Sequence, residues 1–206
     1  MKRLAIKPQL THLIGIDEVG RGPIAGPVAV GACGVAIKDL KKIQKIFKGV
    51  KESKQLSEKQ REEWFAKIQE VARVGLATYA VTFQSEKIID TKGLSFAIKK
   101  ALHVSLMKVG KGSPRQIKVL LDGGLKAPVE FTNQKTIIKG DEKEMVIALA
   151  SICAKVLRDR KMNALAKKYP KYGFELHKGY GTKKHYGAIR KYGVLGIHRK
   201  SFLKIK

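Results

Sequence analysis

Short apolar runs broken by glycine- and lysine-rich turns fill the first part of the chain, and longer helix-period runs fill the second. Residues 12–16 are a compact apolar run ending at Asp17, and 28–37 alternate small and β-branched residues; both predict strands. The lysine-rich segment 38–51 reads as helix or loop. Ser57 followed by Gln60 has the spacing of a capping box, with a helix running to about Val71. Residues 74–83 are rich in β-branched and aromatic side chains and predict a third strand. Leu94, Ile98, Ala101, Leu102 and Leu106 give 93–109 a helical period.

Strands at 117–121 and 136–139 end in Asp122-Gly123-Gly124 and Gly140-Asp141. Residues 142–168 read as one long helix, apolar at Val146, Leu149, Ala150, Cys153 and Leu157 and stopped by Pro170. The tail holds a glycine-rich loop and a basic helix near 182–192. The first three strands can form a meander, and the later ones need crossovers. The expected fold is an α/β mixed sheet with helices on both faces.

The composition narrows the class. Among 206 residues, 43 are Lys or Arg and 17 are Asp or Glu, a net charge of +26. Small soluble domains ordinarily carry roughly 2–8 charges, so a polyanion partner such as nucleic acid is expected. Charge alone does not separate an enzyme from a passive binder. No apolar run is long enough to cross a membrane, and Met1 to Leu10 lacks the apolar core of a secretory leader. Cys33 and Cys153 sit in apolar sequence without metal-ligand spacing, as buried free thiols of a reducing cytoplasm would.

In so basic a chain, acids at strand ends stand out. Asp17-Glu18, Asp122 and Asp141 all follow predicted strands, and neighbouring strand ends can converge on one site. Clustered carboxylates need a compensating cation, and hard Mg²⁺ or Mn²⁺ suits oxygen ligands. In a basic cleft, two such ions suit attack on a phosphodiester. Each acid also has an ordinary structural use: Asp122 as a turn residue before Gly, Asp141 as a helix N-cap. Asp17 and Glu18 would face opposite ways on a regular strand, so both can be ligands only if the strand ends or bulges between them. Gly20-Arg21-Gly22 follows directly. It suits close approach to a phosphate or a ribose 2′-OH, and equally a plain Gly/Pro turn. His177, His185 and His198, with no paired carboxylate in sequence, point to packing or phosphate contact rather than a general base.

From Leu13 to Phe202 the chain closely resembles the ribonuclease HII family. The resemblance is carried, in order, by IGIDEVGRGPIAGPV, KESKQLS, LLDGG, KGDEKEMVIALASICAKVLRDRKM, YPKYGFELHKGYGTKKHYGAI and HRKSF. It implies a ribonuclease H-like mixed five-stranded sheet flanked by helices, with 1–168 as catalytic part and 169–206 as a C-terminal helical, substrate-contacting extension of the same domain. It implies an endoribonuclease that cuts RNA–DNA hybrids and single ribonucleotides embedded in DNA, leaving 5′-phosphate and 3′-hydroxyl ends. Two divalent ions, Mg²⁺ or Mn²⁺, would be held by Asp17, Glu18, Asp122 and Asp141. Gly20, Arg21 and Gly22 would read the 2′-OH, Tyr180 would pack on the next sugar, and Lys54 and Lys143 would lie near phosphates.

Two departures stand out. Gly124 occupies a place where the family usually has Asn, and 91–101 diverges in wording, a segment expected to be peripheral to the chemistry. Only 16 residues precede Asp17, which favours this type over its sister ribonuclease HIII, and no sliding-clamp peptide is recognised after Phe202. A cytoplasmic monomer without an obligate protein partner is expected. Two other readings are weighed against this one. A passive basic binder has no reason to place carboxylates where phosphates must go. The Gly-Arg-Gly and HKGYGT blocks argue against a junction resolvase or a type-1 ribonuclease H.

Overall fold

The computed structural model describes residues 9–204, so most of the stretch read for a leader, 1–8, lies outside the described residues. Five strands form one sheet in the order β3-β2-β1-β4-β5. They are β1 (His12–Val19), β2 (Val28–Ala36), β3 (Thr78–Gln84), β4 (Ile117–Asp122) and β5 (Asn133–Ile137). The first three make the expected antiparallel meander, and β4 and β5 join β1 in parallel. The helices are α1 (Leu40–Ile46), α2 (Glu58–Arg73), α3 (Glu86–Lys92), α4 (Leu94–Val109), α5 (Gly140–Lys143), α6 (Met145–Lys168), α7 (Phe174–His177) and α8 (Lys183–Tyr192).

The mixed five-stranded sheet carries an apolar core on each face. One is built by α4 over Ile14, Ile16, Val28 and Val119. The other is built by α6, α2 and α1 over Cys33, Val35 and Leu120. Both cysteines are free and fully buried, and burial pushes the Cys33 thiol up to about 12. The sheet admits α6 closely because Gly15 and Gly31 lie beneath it. A Cβ on either would run into the backbone of Val146 or Ala150. This close seating sets the start of α6 beside the end of β1. A third, smaller core joins Ile24 and Ala25 to Met162 and Phe174, so the C-terminal segment packs on the end of α6.

Four boundaries differ from expectation. The capping box at Ser57 and Gln60 is present, but α2 closes in a Schellman turn, with Leu76 N–H on Val71 O and Gly75 N–H on Ala72 O. That turn consumes 74–76 and delays β3 to Thr78. Strand β5 lies three residues earlier than 136–139. The long helix expected at 142–168 is two, because Glu144 is extended (φ −125°, ψ 114°) between α5 and α6. Strand β1 does not stop at Ile16: it stays paired with β2 to Val19, while its pairing with β4 ends at Ile16–Leu121. No helix among the described residues is long and apolar enough to cross a membrane.

Candidate active site

Where β1 and β4 part company, one edge of β1 opens into a cavity of about 380 Å³ lined by Asp17, Glu18, Arg21, Lys54, Asp122 and Tyr180. The loss of the β4 partner resolves the difficulty of two adjacent acids. Neither a break nor a bulge separates Asp17 from Glu18, yet both side chains line the same cavity. Asp122 ends β4, and its Oδ1 accepts the Gly140 N–H at 2.6 Å, which pins α5 against the strand end. Asp141 sits on α5, buried, and lines a neighbouring cavity rather than this one. Lys54 spans the two: its Nζ is 3.6 Å from Asp141 Oδ2. Burial works against the Lys54 ammonium, but Asp141, Glu52, Asp17 and Asp122 together raise its pKa.

No three histidine, cysteine or acidic side chains among the described residues stand together as a preformed metal cage. The donor set nevertheless fits a hard cation. Burial, opposed by a Ser151 hydrogen bond and reinforced by Glu18 and Asp122, pushes the Asp17 carboxyl up to about 8. Burial likewise raises Glu18, against the pull of Arg21. Glu18 Oε2 and Asp141 Oδ2 are buried oxygens without hydrogen-bond partners. Leaving such groups unsatisfied costs about 1–3 kcal/mol each, more when charged. These acids would hold a divalent ion through oxygen ligands, and its charge would offset their mutual repulsion.

Arg21 is mostly exposed and donates to Glu18 Oε1 at 3.0 Å. The Gly-Arg-Gly loop behind it rests on two arginines that sequence reasoning missed. Arg199 donates to the carbonyls of Gly20 (2.7 Å), Arg21 (3.0 Å) and Gly26 (2.9 Å). Arg158 donates to Pro27 O (2.9 Å) and Lys178 O (3.0 Å). Both guanidinium side chains are fully buried. Gly20 has φ +89°, and a Cβ there would strike the Arg158 side chain, so glycine is required on both counts. The motif RDRKM and the block HRKSF contain these arginines, but nothing in spacing tells a buried arginine from a surface one.

Tyr180 is 45% exposed and stands beside Gly22, where a Cβ would lie 3.6 Å from its ring. Its loop is held by the three histidines, which are buried and hydrogen-bonded within the fold. His185 Nδ1 lies 2.9 Å from Tyr180 O and must donate there. Its Nε2 then accepts from His198 Nε2 at 3.1 Å, and His198 Nδ1 accepts the Leu195 N–H at 2.8 Å. With Nδ1 donating and Nε2 accepting, the His185 ring is neutral. Lys143 does not line the acid cavity; it shares the neighbouring one with Asp141, and its Nζ donates to Ile138 O at 2.9 Å. Ser53, Ser151 and Lys155 also line the cavity and were not singled out from sequence. The Ser53 and Ser151 hydroxyls share a 2.8 Å hydrogen bond beneath Asp17.

The profile of the family described as Ribonuclease HII matches residues 14–205. A protein named Ribonuclease HII from Ruminiclostridium cellulolyticum is 41% identical over 98% of this chain and 74% of its own length. Another of that name, from Caldicellulosiruptor bescii, is 42% identical over 93% of this chain and 86% of its own. The crystal structure of ribonuclease H2 from Pyrococcus horikoshii superposes with a TM-score of 0.71 at 27% identity, covering 92% of this chain and 93% of that one.

Proposed function

The chain belongs to the ribonuclease HII family, and from that premise we propose that it cuts RNA–DNA hybrids and also single ribonucleotides embedded in duplex DNA, leaving 5′-phosphate and 3′-hydroxyl ends. As a member of the family it is a metal-dependent ribonuclease H that acts on RNA–DNA substrates. The observation that carries the finer reading is the set of four carboxylates at the ends of β1 and β4 and on α5, two of them with buried oxygens that accept no hydrogen bond. In this reading Asp17, Glu18, Asp122 and Asp141 hold two divalent ions, Mg²⁺ or Mn²⁺. When bound, such ions activate the attacking water and stabilise the leaving 3′-oxygen.

The remaining residues bind and orient. Arg21 sits at the mouth of the acid cavity, where its guanidinium suits a phosphate next to the cut. Gly20, Arg21 and Gly22 present a backbone wall to the ribose 2′-OH, fixed from behind by Arg199. Tyr180, half exposed next to Gly22, packs on the sugar of the following nucleotide. Lys54 neutralises a phosphate close to the acids. Lys143 is a weaker candidate for such a contact, because its ammonium is committed to a backbone carbonyl. Residues 169–206 serve as a substrate-contacting extension of one domain, which their shared core with α6 supports. The protein works as a cytoplasmic monomer.

The test is cleavage of a DNA duplex with one embedded ribonucleotide, beside a continuous hybrid and an all-DNA control, in Mg²⁺, Mn²⁺ and chelator. Metal-dependent cutting of the first two, with 3′-hydroxyl products, is expected. Cutting of the hybrid alone would remove the embedded-ribonucleotide activity.

A further inference from the structure

Arg21 faces two ways. Besides the acid cavity, it lines a separate groove of about 160 Å³ between α4 and the loop after β4. The floor of that groove is Ile98, Leu102 and Leu125, all buried in the core under the sheet. Its rim carries Arg21, Lys99 and Lys126, and no acidic residue lines it. The walls are rigid. Leu125 N–H bonds to Asp122 O, Thr136 Oγ1 donates to Leu125 O at 2.8 Å, and Ala127 N–H donates to Gln134 Oε1 at 2.9 Å. Lys126 thus projects from a loop fastened on both sides of it.

Gly124, in the same wall, is a glycine that the fold does not need. Its φ is not positive, and a Cβ there would meet nothing within 4 Å. Without a side chain the wall stays low. The two departures from the family's wording, Gly124 and segment 91–101, meet at this groove, while no residue of 91–101 lines the acid cavity.

We propose that this groove is a second nucleic-acid subsite, which seats one sugar on its apolar floor and the attached phosphodiester between Lys99 and Lys126. The proposal rests on the nuclease reading above and extends its footprint. An apolar floor under a cationic rim matches the two faces of a sugar–phosphate unit, and the volume has no room for a base pair. Asp122 and Gly124 are two residues apart, so the groove starts at most about 7 Å from the acid site. A duplex held at the acids therefore brings backbone past the groove within a nucleotide or two. Arg21, shared by both, fixes their spacing.

The experiment measures binding in chelator, so that it stands apart from cleavage. Affinities of wild type, Lys99→Ala/Lys126→Ala and a control pair, Lys108→Ala/Lys111→Ala at the other end of α4, are taken against salt. The duplexes carry one neutral methylphosphonate at each position in turn, on either strand. Losing the contact to that one phosphodiester should lower the salt slope by about 0.7–0.9, with little change for the control pair. One methylphosphonate position should weaken wild type severalfold and leave the groove variant unaffected, and the strand carrying it identifies which backbone is seated. Equal effects of the two variant pairs, or additive losses at every methylphosphonate position, would overturn the subsite. If wild type binds this way but cuts no ribonucleotide, the nuclease reading fails and the subsite survives.

Discussion

Arg199 donates through Nη2 to the carbonyl of Gly20 at 2.7 Å, joining residues 179 positions apart. The C-terminal segment thereby becomes the back of the active-site loop. The segment is tied down in turn by Asp90, whose carboxylate accepts from Lys200 N, Ser201 N and Ser201 Oγ. Burial raises the Asp90 carboxyl, but the bonds from Ser201 and Lys200 and the Lys200 charge together lower it below its ordinary value. A guanidinium without a buried carboxylate partner is costly to bury, and here backbone carbonyls supply the compensation.

Arg199→Ala leaves three carbonyls without their donor. The expected loss is about 3–5 kcal/mol of folding free energy. Arg199→Lys, which keeps the charge but cannot fork, should recover only part of it. Denaturant melts of the three proteins read this directly. An Ala variant within 1 kcal/mol of wild type would mean that the loop is held by something else.

The neutral His185 ring predicts acid sensitivity. Burial, with His177 and His198 adding to it and the bond to Tyr180 O opposing, lowers His185 to about 4, and burial lowers His198 as well. In the unfolded chain a histidine takes up its proton near 6.5. Stability from His185 is therefore complete above that pH and is lost as pH falls from 6.5 towards 4, on the order of 2–3 kcal/mol. Comparing wild type with His185→Asn across that range isolates the effect. Parallel stability curves for the two proteins would refute it.

Much of this was legible in the sequence, and what was missed shares a cause. The end of β4 showed as an apolar run stopped by Asp122, and Ser57 with Gln60 marked a helix start, because these signals are local. The break at Glu144 was not legible. The short α5 before it is pinned by Asp122 accepting the Gly140 N–H, a contact across 18 residues. Arg158 and Arg199 were invisible for the same reason, since their partners are carbonyls 20 to 179 residues away. The opening of β1 beside Asp17 depends on where β4 stops pairing, which no single strand's pattern records.

Tyr180 should govern sugar preference rather than the chemical step. Tyr180→Ala is expected to lose at least tenfold in cleavage at a single embedded ribonucleotide and much less on a continuous hybrid. Its ring is half exposed, so melting should be near wild type. Equal losses on both substrates would remove the sugar-sensing role.

Lys54 stands 3.6 Å from Asp141 and is mostly exposed, placed to meet a phosphate. Lys54→Ala should lower the slope of log affinity against log salt by about one contact, 0.7–0.9. An unchanged slope would take Lys54 out of the interface.

The central claim is that the four carboxylates hold divalent ions that make ribonucleotide cleavage possible. Its most direct test is the single-turnover rate on a duplex with one embedded ribonucleotide, for wild type, Asp17→Asn and Asp141→Asn at saturating enzyme. Losing a ligand removes several kcal/mol of transition-state stabilisation, so both variants should fall about a thousandfold or more. Duplex affinity, which rests on lysines and arginines, should stay within a few-fold of wild type. A wild-type rate for either variant, or undiminished cutting in chelator, would contradict the account.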